Sequence, residues 1–119
     1  YGRFSLADIE KNCNEFAIKN NIKLTLFQSN IEGELVNQIQ KSRNEQDGLI
    51  INAGGYTHTS VAIGDAIKSI DSSVIEIHIT NTFARDDFRH VSYITPVAKG
   101  LIVGFGLDSY RMAVESVLN

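Results

Sequence analysis

The sequence predicts an α/β domain, a parallel sheet with helices on both of its faces. Two observations carry that prediction. Short apolar or β-branched runs alternate with stretches of helical periodicity along the chain. The run Gly48-Leu49-Ile50-Ile51 is almost continuously apolar, as a strand covered on both faces must be. Alternating strands and helices imply right-handed crossovers, so neighbouring strands run parallel.

Each element has its own signal. Leu6, Ile9, Cys13, Phe16 and Ala17 recur at helical spacing, and Ser5 with Asp8 makes a capping box at the start. After the Asn20-Asn21 turn signal, Lys23 to Phe27 reads as a strand. Ser29 and Glu32 repeat the capping-box spacing ahead of Leu35, Val36 and Ile39, which predicts a second helix ending near Ser42. Next come a strand from Gly48 to Asn52, a helix from about Ser60 to Ser69 and a strand from Val74 to Ile79. The charged stretch FARDDFRH follows, then a strand from Gly100 to Gly104, and Tyr110, Ala113, Val114 and Val117 mark one face of a closing helix. No repeat, linker or low-complexity tract interrupts this order.

Composition narrows the function. A chain of 119 residues, 43% hydrophobic and 21% charged, has the size and balance of one folded domain. Its net charge of -3 and lack of a basic stripe argue against nucleic-acid binding. No apolar run is long enough to span a bilayer, which argues against a membrane partner. A single cysteine, Cys13, excludes an internal disulfide and fits a reducing, cytoplasmic setting.

Ligands of an open parallel sheet bind beyond the carboxyl ends of its strands, where Asn52, His78, Thr80 and Asn81 fall. Within Val74 to Ile79 one face carries Ile75, Ile77 and Ile79, while Glu76, His78 and Thr80 share the other. Glu76 and His78 are about 6.5 to 7 Å apart along the strand, within reach of a carboxylate that holds one imidazole nitrogen and fixes its tautomer. They read equally as an acid-base pair or as two groups that merely satisfy each other. NAGGYTHTS, from Asn52 to Ser60, offers backbone N–H groups to an anion; alternatively, its glycines only permit a turn and Thr59 or Ser60 only caps the next helix. His58, His78 and His90 match no metal-ligand spacing. Arg85, Asp86, Asp87 and Arg89 read either as a clamp or lid for an oxygen-rich ligand or as a solvated helix start.

Together, FQSNIEGELV, NAGGYTHTSVAIGDA, IEIHITNTFARDDFRHVSY and GLIVGFGLDSYRMAV resemble, in order and spacing, the type II 3-dehydroquinate dehydratases over essentially the whole chain. That resemblance implies a flavodoxin-like three-layer α/β/α sandwich, assembly into trimers and usually dodecamers, and no cofactor or metal. It also implies elimination of water from 3-dehydroquinate to give 3-dehydroshikimate, in the shikimate pathway or in quinate breakdown. Carried over by motif, Tyr1 resembles the base that removes the proton beside the ketone. His78 resembles the general acid for the leaving hydroxyl, oriented by Glu76. Asn52, His58 and Arg89 resemble substrate-binding groups, and the N–H groups of Ile79 and Thr80 resemble the holders of the substrate carboxylate. Asp65 resembles an aspartate that reaches a neighbouring subunit's site, and Arg85 an arginine that keeps the tyrosine ionised. Such a base must titrate up to about 3 pH units below an ordinary phenol, roughly 4 kcal/mol in favour of the phenolate.

The sequence departs from the family pattern in three places. Thr80 stands where serine is more usual, keeping the hydroxyl. The family's lid arginine and its opening strand, which ends in Asn-Gly-Pro-Asn, have no counterpart in residues 1–119. With a 2-1-3-4-5 strand order, that opening strand would lie between Lys23–Phe27 and Gly48–Asn52. The expectation is therefore a single domain over 1–119 that lacks its central strand and most of its lid, in a natural protein that extends upstream. Two alternatives stay open: a flavodoxin-like module that holds a phosphate or flavin at the glycine turn, and an inactive paralogue that serves as a scaffold.

Overall fold

Helix formation begins where the sequence places a cap. Ser5 Oγ accepts from the Asp8 N–H at 3.1 Å, and the Asp8 carboxylate accepts from the Ser5 N–H at 3.0 Å. This reciprocal pair starts α1, Leu6–Lys19. The computed structural model describes residues 4–118. The second capping box does not form. Helix α2 spans Glu32–Lys41 with Ile31 at its N-cap, and Ser29 Oγ donates instead to Glu34 at 2.5 Å while accepting from the Ile31 N–H. With the helix starting at Glu32 and Ile31 at the N-cap, Ser29 lies two positions too early to cap it.

Three parallel strands follow, β1 (Gly48–Ile51), β2 (Ser73–His78) and β3 (Gly100–Val103), hydrogen-bonded in that order. Helix α3, Val61–Lys68, links the first two, and α4, Asp108–Leu118, closes the chain. On one face of the sheet Ile51 and Val74 pack with Ile39 of α2 and Ile63, Ala66 and Ile67 of α3. On the other, Ile50, Ile75, Ile77 and Ile102 meet Tyr110, Ala113 and Val117 of α4. Alternate residues of β2 therefore serve two different cores, the arrangement its period-2 pattern requires.

Lys23 to Phe27, predicted as a strand, is not one: among the described residues it has no ladder partner. Exposure still alternates there, with Ile22 and Leu24 half-buried and Lys23 and Thr25 exposed. A slot of about 360 Å³ lies against it, with Ile22, Leu24 and Leu26 on one wall and Leu49 and Ile51 of β1 on the other. A strand is defined by its hydrogen-bonded neighbour, and here the slot stands in the neighbour's place.

Between β2 and β3 the chain makes short 3-10 turns at Thr82–Ala84, Asp87–His90 and Thr95–Val97. The last turn belongs to a strap that crosses α3. Ile94 is fully buried, the Tyr93 N–H donates to the Thr57 carbonyl at 2.9 Å, and Gly64 meets the strap edge-on. A Cβ at Gly64 would sit 2.6 Å from the Tyr93 carbonyl oxygen, so only glycine permits this approach.

Candidate active site

Strand β2 ends in the only side-chain ion pair with both members buried among the described residues. Glu76 is 1% exposed, and its Oε2 lies 2.6 Å from Nε2 of His78. The sequence brings this about through the strand period: Glu76 and His78 share the face that Val74 gives to the α3 core, two residues apart. Burial alone pushes the Glu76 carboxyl up. Hydrogen bonds from His78 and Thr95, the His78 charge and a further hydrogen bond from Ser92 outweigh burial and hold the carboxyl below its ordinary range.

Two hydroxyls contribute that the sequence analysis passed over. Ser92 Oγ is 3.1 Å from Glu76 Oε2, and Thr95 Oγ1 makes a short hydrogen bond to Oε1. Both belong to the strap, in SYITP, 16 and 19 residues beyond Glu76. A serine and a threonine ahead of a proline turn were the only signal. Hydroxyls in such places more often satisfy local backbone, and Ser92 does that as well.

A second imidazole lies over the first. His58 ends the 3-10 turn Gly54–His58, and its ring stacks on His78 with centroids 6.3 Å apart and planes 17° apart. Its Nδ1 lies 2.6 Å from the Val91 carbonyl oxygen, which can only accept, so Nδ1 carries the proton. Phe88 meets the His58 ring edge-on at 5.9 Å. The guanidinium of Arg89 lies 4.7 Å from the centre of the Phe88 ring, and its Nε is buried without an acceptor among the described residues. A buried, unpartnered guanidinium N–H suits a ligand rich in oxygen.

Asn52 leaves the end of β1 and turns its side chain back on the glycine turn. Its Oδ1 accepts from the Gly54 N–H at 3.3 Å, and its Nδ2 reaches the Tyr110 hydroxyl at 3.5 Å. Gly54 adopts a φ of 58°, the left-handed conformation expected of the turn. Of the two candidate caps, Ser60 is the one used: its Oγ accepts from the Ile63 N–H. Ile79 and Thr80 continue from β2 beside His78, with Ile79 buried and Thr80 exposed.

Asp65 and Arg85 stand apart from this group. Asp65 is exposed on α3, Arg85 is exposed after the Thr82–Ala84 turn, and neither makes an ion pair or hydrogen bond through its side chain among the described residues. Tyr1 lies outside the described residues. No group of three or more metal-ligating side chains occurs among those residues, and no helix there is long and apolar enough to cross a membrane.

Known proteins resemble the chain throughout. The family model described as Dehydroquinase class II matches residues 1–118. A 3-dehydroquinate dehydratase of Dinoroseobacter shibae is 49% identical over 117 residues, covering 98% of this chain and 78% of the relative. A catabolic 3-dehydroquinase of Penicillium rubens is 50% identical over 117 residues, covering 98% and 76%. Among solved structures, a type II dehydroquinase of Butyrivibrio crossotus superimposes with a TM-score of 0.97 at 40% identity, covering 100% of this chain and 83% of that one.

Proposed function

The chain belongs to the dehydroquinase class II family, and from that premise we propose that it eliminates water from 3-dehydroquinate to give 3-dehydroshikimate. The observation that carries this reading is the buried Glu76–His78 pair at the carboxyl end of β2. Tyr1 takes the proton beside the ketone, and an enolate-like intermediate forms. His78, carrying a proton on each ring nitrogen, then gives the Nδ1 proton to the departing hydroxyl and regains one from solvent as Tyr1 releases its own. Glu76 occupies Nε2, so Nδ1, which has no hydrogen-bond partner among the described residues, is the atom that faces the substrate.

The remaining roles follow from the same premise. Asn52, His58 and Arg89 bind substrate hydroxyl and carboxylate oxygens, with the unpartnered Nε of Arg89 as one donor. The backbone N–H groups of Ile79 and Thr80 hold the carboxylate. Arg85 has the role of favouring the phenolate of Tyr1. Asp65, exposed on α3, completes the site of a neighbouring subunit in a trimer, the unit of a dodecamer. The reaction proceeds without a cofactor, in the cytoplasm. In the slot beside β1 one further strand of the same protein pairs with both Lys23–Phe27 and β1. Two facing edges with no ladder partner among the described residues support this, as does the additional length of the matched relatives.

Mixing the protein with 3-dehydroquinate and following the ultraviolet band of the conjugated enone tests the reading directly. Turnover is expected, and H78A is expected to slow it by about two to four orders of magnitude. No enone from the intact protein overturns the proposed activity, and an undiminished rate in H78A removes His78 from the chemistry. Borohydride added with substrate should leave no adduct on any lysine; a trapped lysine would replace acid-base elimination with a Schiff-base route.

A further inference from the structure

The strap hydroxyls deserve a role of their own because their proton positions can be deduced. Ser92 Oγ lies 3.0 Å from the Ile94 nitrogen and 3.0 Å from the Thr95 nitrogen, both backbone N–H donors. A hydroxyl has two lone pairs and one proton. Its lone pairs are thus spent on the two N–H groups, and its proton points to Oε2 of Glu76. Oε2 also receives His78 Nε2, and Oε1 receives Thr95 Oγ1. One hydroxyl donates to each oxygen, and Nε2 of His78 is the third group at the carboxylate. An ionised carboxylate accepts from both hydroxyls and has a lone pair left on Oε2 for an Nε2–H of His78. A proton on Oε2 could only be donated to an unprotonated His78 Nε2, leaving a weaker hydroxyl-type oxygen to accept from Ser92, and one on Oε1 would force Thr95 to turn round and accept.

One hydroxyl on each oxygen also fixes the plane of the carboxylate, which a single contact would leave free to rotate about its last bond. The strap has the rigidity for this task. It is anchored by buried Ile94, by the hydrogen bond from Tyr93 to Thr57 and by close contact with Gly64.

We propose that Ser92 and Thr95 are positioning residues for the elimination: their hydroxyl protons keep Glu76 ionised and in plane, which holds one proton on Nε2 of His78 and leaves Nδ1 as the nitrogen that takes up, and then delivers, the proton for the leaving hydroxyl. The catalytic half of this inference rests on the dehydration proposed above, whereas the tautomer half concerns the substrate-free protein alone.

The test uses full-length protein with the variants T95V, T95S and S92A. Nitrogen-15 NMR of the His78 ring, without substrate, should show protonated Nε2 in neutral imidazole of the wild type. T95V is nearly isosteric and leaves the turn intact, so it keeps the fold should S92A lose it. In T95V the ring should shift toward a mixture of tautomers, and kcat should fall by about 10- to 100-fold, less than loss of the acid itself, with KM changed by less than about threefold. T95S keeps the hydroxyl and should restore most of the loss. An unchanged tautomer in folded T95V overturns the inference, as does a T95S defect equal to that of T95V. Absence of dehydration in the wild type would sink the proposed reaction, yet the NMR result would still decide whether the hydroxyls set the tautomer.

Discussion

Strands β1 and β2 are hydrogen-bonded neighbours, yet their surroundings differ sharply. β2 is paired on both edges, and every residue from Val74 to His78 is buried. Among the described residues β1 is paired on one edge only, its other side opens on the slot, and of its four residues only Ile51 is buried. The polar groups at the two strand ends follow suit. Glu76 holds three donors and is locked, whereas Asn52 has a 3.5 Å contact to Tyr110 and a 3.3 Å contact to Gly54. The donors to Glu76 come from its own strand and from the strap, two segments that meet at one carboxylate, whereas Asn52 relies on fewer and longer contacts.

Equal truncations on the two sides measure that difference most strongly. Ile77 is fully buried against α4, so Ile77→Ala should cost about 2 to 5 kcal/mol in urea unfolding. Leu24 lines the slot and is half-buried. With a further strand seated there, as proposed, Leu24→Ala should also cost at least about 2 kcal/mol in the full-length protein. A cost below about 1 kcal/mol would mean that the slot stays open, and the strand would be dropped.

Gly64 sharpens the comparison from the sealed side, with a smaller effect. Its missing Cβ lets α3 lie on the Tyr93 carbonyl, and the strap beyond Tyr93 carries Ser92 and Thr95 to Glu76. Gly64→Ala must push α3 and the strap apart, at about 1 to 3 kcal/mol of stability. Turnover should fall further than in Leu24→Ala, because the displaced atoms include the donors to Glu76. Turnover that falls only in proportion to folded protein would disconnect the strap from the catalytic pair.

How much of this was legible in the sequence depended on distance along the chain. The Glu76–His78 pair was legible because a strand period places both on one face, two residues apart. The three observed strands and four helices were legible from periodicity, and the α1 cap from a spacing that the helix itself enforces. Ser29 misled because the same spacing has no force unless the helix starts at the next residue. Lys23 to Phe27 misled because a local pattern reports extended backbone, while a strand requires a partner that lies elsewhere. Ser92, Thr95, the Val91 carbonyl at His58 and the ring stacking of His58 on His78 depend on contacts that span many residues, and no periodicity encodes them.

Acid titration offers the smallest effect, and it reads the locked end of β2 alone. The Glu76 carboxyl is held below its ordinary value of 4.5 in the folded chain, so between those two values the unfolded chain binds more protons. Stability from this group is therefore fully present above about pH 4.5 and is lost as the pH falls through the lowered folded value. Asp8 and Asp108 are lowered as well, by hydrogen bonds from Ser5 and from Arg111 respectively, and both are fully exposed, so the raw acid limb mixes several groups. Urea unfolding of the wild type and of Glu76→Gln, from about pH 3 to pH 7, isolates the share of Glu76. The variant should be offset downward at neutral pH, since its amide N–H₂ faces groups that themselves donate. Its acid slope should nevertheless be shallower than that of the wild type. Parallel slopes would mean that Glu76 titrates alike in the folded and unfolded chains, and the contrast between a locked β2 end and a loosely held β1 end would then lose its electrostatic basis.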